Sequence, residues 1–154
     1  MSARDYETLI RVAHLEDSDR IAKLADSLGY PISAQEMQQR LKRLVAHSDH
    51  AIYVAQVPEE RVAGWIQLGI SETLVAGRQA MVNGLIVQDE YRKLGIGRSL
   101  IQQGEGWARS QDCKGIFVRS NIVRQEAHRF YEHIGYVPLK TQLILYKSLR
   151  NLDL

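Results

Sequence analysis

Val82-Asn-Gly-Leu-Ile-Val87, Gln88-Asp-Glu-Tyr-Arg92-Lys-Leu-Gly95-Ile-Gly97 and Arg98-Ser-Leu-Ile-Gln-Gln103 follow one another without a break. The first piece is apolar and β-branched, as a strand requires. The second is a turn carrying Gly95 and Gly97. In the third, apolar residues recur at Ile96, Leu100, Ile101, Trp107 and Ala108, close to the helical period. The stretch predicts a strand, a tight turn and a helix entered at its glycines. A helix N-terminus presents free N–H groups, and with no Cβ bulk beside them it suits an anion, above all a phosphate. Arg92 and Lys93 stand at this end against the helix dipole, which prefers acids there, so an anionic ligand would explain them. Gly-x-Gly before a helix is also ordinary turn chemistry, and both readings stay open on these residues alone. The stretch is not the dinucleotide fingerprint, which needs a third glycine and an acid about twenty residues on, and it lacks the Gly-Lys-Ser/Thr of a Walker loop.

Composition limits what the rest can be. A chain of 154 residues, 45% apolar and 25% charged, is expected to form one domain over 1–154 with a real core. A net charge of +2 does not call for nucleic acid. Cys113 is the sole cysteine, so neither a disulfide nor a cysteine metal site is expected within one chain, and a buried structural thiol is expected. The histidines His14, His47, His50, His128 and His133 show no metal spacing. No run is long enough to span a membrane. Met-Ser-Ala-Arg-Asp-Tyr-Glu at the start lacks the apolar region of a signal peptide. A cytoplasmic setting follows as the expectation.

Outward from the turn, the chain reads as alternating elements. Thr8–Ala13 is a short strand. Asp17 or Ser18 caps a helix with Ile21, Leu24, Ala25 and Leu28 on one face. Gly29 stops it. Ser33-Ala-Gln-Glu36 is a capping box, and its helix carries Met37, Leu41, Leu44 and Val45. Ala51–Val57 and Val62–Gly69 form a hairpin, residues 70–79 a polar loop, and 80–87 the next strand. A helix over 95–110 should connect to a parallel strand at Gly115–Ser120. A helix over 124–134 places Ala127, Phe130, Tyr131 and Ile134 on one face. Strands at about 136–139 and 142–148 should close the sheet. His47 and His50 are read in a polar loop. The order is β-α-α-β-β-β-α-β-α-β-β, an α/β (α+β) mixed sheet.

Two motifs then point to a family. Arg92-Lys-Leu-Gly95-Ile-Gly97 resembles the Arg/Gln-x-x-Gly-x-Gly/Ala turn of the GCN5-related N-acetyltransferases (GNAT). Ser120-Asn-Ile-Val-Arg-Gln-Glu-Ala127-His-Arg-Phe130-Tyr131-Glu-His-Ile-Gly135-Tyr136 resembles that superfamily's second signature. Within the superfamily, this second stretch and Lys140-Thr141-Gln142 look like a bacterial branch. That branch includes aminoalkylphosphonate acetyltransferases and lies near aminoglycoside 6'-acetyltransferases. The resemblance implies the acyl-CoA N-acyltransferase fold, with parallel strands splayed apart at mid-length. Gly84 fits a bulge that helps the splay, or a small residue under a helix.

The same resemblance implies acetyl-CoA as cosubstrate, with no metal, and a primary amine as acceptor. It places the pyrophosphate on the backbone of Arg92, Lys93, Leu94, Gly95, Ile96, Gly97 and Arg98. Main-chain groups of Leu85, Ile86 and Val87 would pair with the pantetheine arm, and one would face the thioester oxygen. Asn121 would contact the pantetheine or, equally, cap the next helix. Tyr131 is implied as the general acid on the leaving thiolate, although its place on an apolar stripe also suits a core residue. Many relatives carry a Glu near the positions of Asn83-Gly84, and this chain has no acid there. Glu72 is a weak substitute. Tyr30, Asn83 and Lys140 are candidate acceptor contacts. The acceptor is expected to be a small molecule, with no nucleic acid or membrane partner and a homodimer possible. A peptide acetyltransferase and a non-catalytic coenzyme A sensor are the alternatives.

Overall fold

A computed structural model describes residues 7–150. The start of the chain, read above for a leader, lies outside the described residues except for Glu7. The described chain forms two compact units that divide between Arg119 and Ser120.

In the first unit, β1 (Leu9–Val12), β2 (His50–Val57), β3 (Arg61–Thr73), β4 (Gly77–Val87) and β5 (Ile116–Val118) form one sheet in the order β1-β2-β3-β4-β5. The first four are antiparallel neighbours, and β5 joins β4 in parallel. The parallel step needs a crossover, supplied by α3 (Ile96–Ser110). The expected loop over 70–79 is instead the end of the β3–β4 hairpin. Ile70 pairs with Ala80 and Thr73 with Gly77. Its polar residues alternate along a two-stranded ribbon exposed to water, so no apolar pattern marks them. Arg78 bridges to Glu72 across the ribbon at 3.3 Å, and the Ala76 N–H donates to Thr73 Oγ1 at the tip.

Strand alternation assigns the two faces. Ile52, Val54, Trp65 and Ile86 point to one side. There they meet Ile21, Leu24 and Ala25 of α1 (Ser18–Asp26) and Leu41 of α2 (Ala34–Val45). Ile66 and Leu68 point to the other side, where α3 packs with Leu100 and Ile101, all fully or nearly fully buried. Gly104 brings α3 close: a Cβ there would lie 2.7 Å from Leu68 Cδ2. Helix starts are locally encoded. Ser33 accepts the Glu36 N–H at 3.1 Å, as the expected cap requires. Asp17 precedes α1, but its carboxylate does not cap that helix. It takes two bonds from the Arg11 guanidinium, at 2.8 and 2.9 Å, and one from the His14 N–H at 2.7 Å. Burial pushes its pKa up, and these three donors together outweigh that and hold it below the ordinary carboxylate value.

The second unit contains α4 (Gln125–His133), ended by Gly135 at φ +101°. The two closing strands expected at 136–139 and 142–148 are not present among the described residues, and the observed order ends at α4. Alternating apolar residues make a strand only when a neighbour supplies ladder hydrogen bonds. Here Val137, Leu139, Leu143, Ile144, Leu145, Tyr146 and Leu149 are 77–92% exposed.

Candidate active site

The parallel pair β4–β5 is short. Ala80, Met81 and Val82 pair with Ile116, Phe117 and Val118, and the ladder then stops. At the same level the β3–β4 register slips, so that Gln67 faces Gly84 and Leu68 faces Val82. Asn83 is the extra residue, a β-bulge. Beyond it Leu85, Ile86 and Val87 still pair with Ile66, Trp65 and Gly64 on one side. On the other side they have no ladder partner among the described residues. The ladder ends where the family resemblance expects the strands to part, and it leaves an open backbone edge that can take an extended ligand as an added strand. Gly84 adjoins the bulge, and a Cβ there would lie 2.8 Å from the Trp65 ring. The room Gly84 makes is for the Trp65 ring of β3 and not for a helix.

The open edge leads directly into the turn. A short 3₁₀ turn at Asp89–Tyr91 follows β4. Lys93 and Gly95 then adopt left-handed backbone, at φ +66° and +84°, and α3 begins at Ile96. Gly95 meets this geometry without a Cβ penalty, whereas Lys93 bears a cost. The first-turn N–H groups of Ile96, Gly97 and Arg98 have no acceptor within the helix. Ile96 is buried and anchors the turn, while Arg92, Lys93, Leu94, Gly95 and Arg98 are exposed. The Arg92 side chain is partly engaged, with Asp89 at 3.0 Å and the Val87 carbonyl at 3.3 Å. Left-handed residues just before a helix N-terminus, here Lys93 and Gly95, help turn backbone N–H groups toward one anion.

In the second unit, Tyr131 packs edge-on against Phe130 and Tyr136, with ring centroids 5.1 and 5.6 Å apart. Burial raises the pKa of its phenol, and Arg124 opposes this only partly, so the group is a proton donor at neutral pH. Asn121 shapes the entry to α4. Its Oδ1 accepts the Val123 N–H at 3.1 Å, and its carbonyl lies 2.9 Å from His128 Nε2.

The family model described as "Acetyltransferase (GNAT) family" matches residues 15–136. The chain belongs to the GNAT acetyltransferase family. It is an N-acetyltransferase by that membership. An aminoglycoside N(6')-acetyltransferase type 1 of Stenotrophomonas maltophilia is 23% identical over 141 residues, spanning 89% of this chain and 90% of that protein. The structure of the aminoglycoside 6'-N-acetyltransferase AAC(6')-Ih of Acinetobacter baumannii superimposes with a TM-score of 0.80 at 19% identity, over 93% of this chain and 99% of that one. AAC(6')-Iy, solved in complex with CoA, gives 0.83 at 14% identity, over 97% and 100%.

Against this GNAT frame the remaining candidates separate. Glu72 is at the tip of the β3–β4 hairpin, paired with Arg78, and not in a free loop. Tyr30 is exposed in the connection from α1 to α2. Lys140 is exposed in the segment after α4. Cys113 is half-buried and free, its thiol pKa raised by burial against the opposing charge of Arg78. Among the described residues no three His, Cys, Asp or Glu side chains gather to hold a metal ion, and no helix is long and apolar enough to cross a membrane. His50 departs from its expected loop position: it is the first residue of β2, and its Nδ1 is buried without a hydrogen-bond partner. No local sequence signal marks it, because its surroundings come from β3 and β4.

Proposed function

We propose that this GNAT enzyme transfers the acetyl group of acetyl-CoA to a primary amine on a small molecule, with an amino sugar of the aminoglycoside kind the first class to test. The observation that carries the reading is the continuity of the open β4 edge at Leu85–Val87 with the N–H-rich turn at Arg92–Arg98. An extended amide-bearing arm and the pyrophosphate at its end need these two features in this order. The basic side chains of Arg92, Lys93 and Arg98 add screened attraction for the phosphates. The acceptor class is taken from the relatives, which are named for aminoglycoside acetylation.

Amide formation from a thioester needs the carbonyl polarised, the amine neutral and the thiolate protonated. A β4 backbone N–H beside the bulge supplies the first need. Tyr131 supplies the last: its burial keeps the phenol protonated and able to donate to sulfur. Asn121 steadies the entry to the helix that carries Tyr131. In this reading the whole chain acts as one catalytic domain, binds no nucleic acid, and works in the bacterial cytoplasm where acetyl-CoA is made. A homodimer accounts for the exposed apolar residues of 137–149, since a monomer rarely leaves so much apolar surface in water.

The test is release of free thiol from acetyl-CoA in the presence of aminoglycosides, aminoalkylphosphonates, polyamines, amino acids and N-terminal peptides. Strong turnover with one small-amine class is the expected result. Turnover with peptides alone would move the acceptor to protein, and acetyl-CoA binding with no turnover would overturn catalysis.

A further inference from the structure

One row of cross-strand neighbours runs over the sheet face that α1 and α2 cover. His50 pairs with Gly69, Gly69 with Met81, and Met81 with Phe117. Asn83 enters this row from the bulge. A methyl group built on Gly69 would lie 2.9 Å from Asn83 Nδ2 and 3.3 Å from His50 Nδ1. Gly69 therefore lets both side chains lie over its backbone, where a Cβ would clash with them. His50 Nδ1 lies beside Gly69 and is buried without a partner. A buried nitrogen in that state is unfavourable unless a ligand or water completes it. Asn83 is exposed, so its side chain can swing off Gly69 and admit an amine to the His50 nitrogen.

The GNAT reaction leaves one role unfilled in this chain. The attacking amine must lose a proton, and β4 has no carboxylate at Asn83 or Gly84. We propose that His50 Nδ1 accepts that proton, with Asn83 orienting the amine as it enters. This assignment rests on the acetyl-transfer reading above. Imidazole suits the task, because histidine is the side chain that exchanges protons near neutral pH. The step balances. The amine nitrogen forms the N–C bond to the thioester carbonyl and passes its proton to His50 Nδ1. The C–S bond then breaks, the thiolate takes a proton from Tyr131, and His50 returns its proton to water. The products are amide and free thiol.

The neighbours of His50 are few. His47 stands edge-on with its ring centroid 6.4 Å away, and Asp49 precedes it in the chain. Arg119 closes the far end of the row, with Nη1 3.0 Å from Met81 Sδ and the guanidinium over Phe117. The side chains that α1 and α2 add to the core cluster farther along this face are apolar. The row thus offers a cation, an amide and an imidazole, a donor and acceptor set suited to an amine that also bears hydroxyl or anionic groups.

The experiment uses the full chain and an amine that the wild type acetylates. His50→Asn keeps a polar atom near the Nδ1 position but removes the basic nitrogen. The expected result is a fall in kcat/KM of about 10²- to 10⁴-fold, loss of the acid-side limb of the pH–rate profile, and unchanged acetyl-CoA affinity by calorimetry. Imidazole added to His50→Ala should restore part of the rate, and Asn83→Ala should raise the KM for the amine more than it lowers kcat. A wild-type rate and pH profile in His50→Asn would overturn the role. If that variant melts early, imidazole rescue of His50→Ala decides instead, and absence of rescue counts against the role. Acetyl-CoA binding without turnover of any amine by the wild type would overturn the acetyl-transfer reading itself, and this role with it. That outcome is read on the wild type before any variant is made.

Discussion

Residues 80–87 and residues 137–149 have the same kind of sequence, apolar and partly β-branched, yet their outcomes differ. The first lies in β4, paired with β3 except at the bulged Asn83 and with β5 over Ala80–Val82. The second has no ladder, and seven of its large apolar side chains are exposed. The difference teaches that strand pattern is necessary but not sufficient: the ladder is a property of two segments, and propensity belongs to one. It also divides the chain's energetics. Burying a side chain such as Leu68 contributes about 1.5–3 kcal/mol, while those of 137–149 contribute little to the chain on its own.

The comparison can be broken first at Tyr131, which belongs to the same unit as the exposed segment. Tyr131→Phe should lower turnover by about 10- to 10⁴-fold while acetyl-CoA affinity by calorimetry changes little. An unchanged rate would remove the second unit from the chemistry. Next, the turn that follows β4 should tolerate no bulk or negative charge. Gly97→Asp is expected to weaken acetyl-CoA binding by about 10- to 100-fold through repulsion from the phosphates. Undiminished affinity would place the phosphate cradle elsewhere.

Stability should sharpen the same contrast. A Cβ at Gly64 would lie 2.8 Å from the Ile86 carbonyl, a backbone atom with little room to move. Gly64→Ala should cost about 1–3 kcal/mol, seen as a lower urea midpoint. Asp17→Asn should cost about 1–3 kcal/mol at neutral pH, since it strips a half-buried guanidinium of its partner. The pH dependence has a definite sign. The folded-state pKa of Asp17 lies below the unfolded value near ~3.9. Its stabilisation is therefore present above the ordinary carboxylate range and lost as pH falls through the lowered value. The gap between wild type and Asp17→Asn should close in acid, and a gap that persisted there would mean the ion pair is not its cause. The smallest effect is expected in the exposed segment. Leu145→Ser should shift the urea midpoint by an amount worth less than about 0.5 kcal/mol at low protein concentration, where any homodimer has dissociated. A large loss there would show that 137–149 packs within the chain itself.

Much of this was legible in the residues because it is local. The β4–turn–α3 stretch is contiguous, and Gly95, Ile96 and the helical period after them specify the turn without help from elsewhere. The Ser33 cap and the Gly135 stop are local as well. The hairpin extension over 70–79 reads as a loop in sequence because its ladder joins mostly polar residues, whose pairing depends on the register inherited from 62–69. The sequence points to Gly84 for the bulge, but the unpaired residue is Asn83, since the slip is set by β3 opposite.

By itself, the sequence determined the helices and most of the strands before Gly135, the glycine-bearing turn into α3, the absence of an acid at 83–84 and, through two motifs, the family. Only the tertiary structure decided where the parallel ladder stops, which residue bulges, that Asp17 serves Arg11 instead of a helix end, and that His50, Gly69 and Asn83 meet. The reason is physical. Helix caps and turns are satisfied by atoms a few bonds apart along the chain, whereas register joins residues tens of positions apart, and one step of slip changes which side chains share a face.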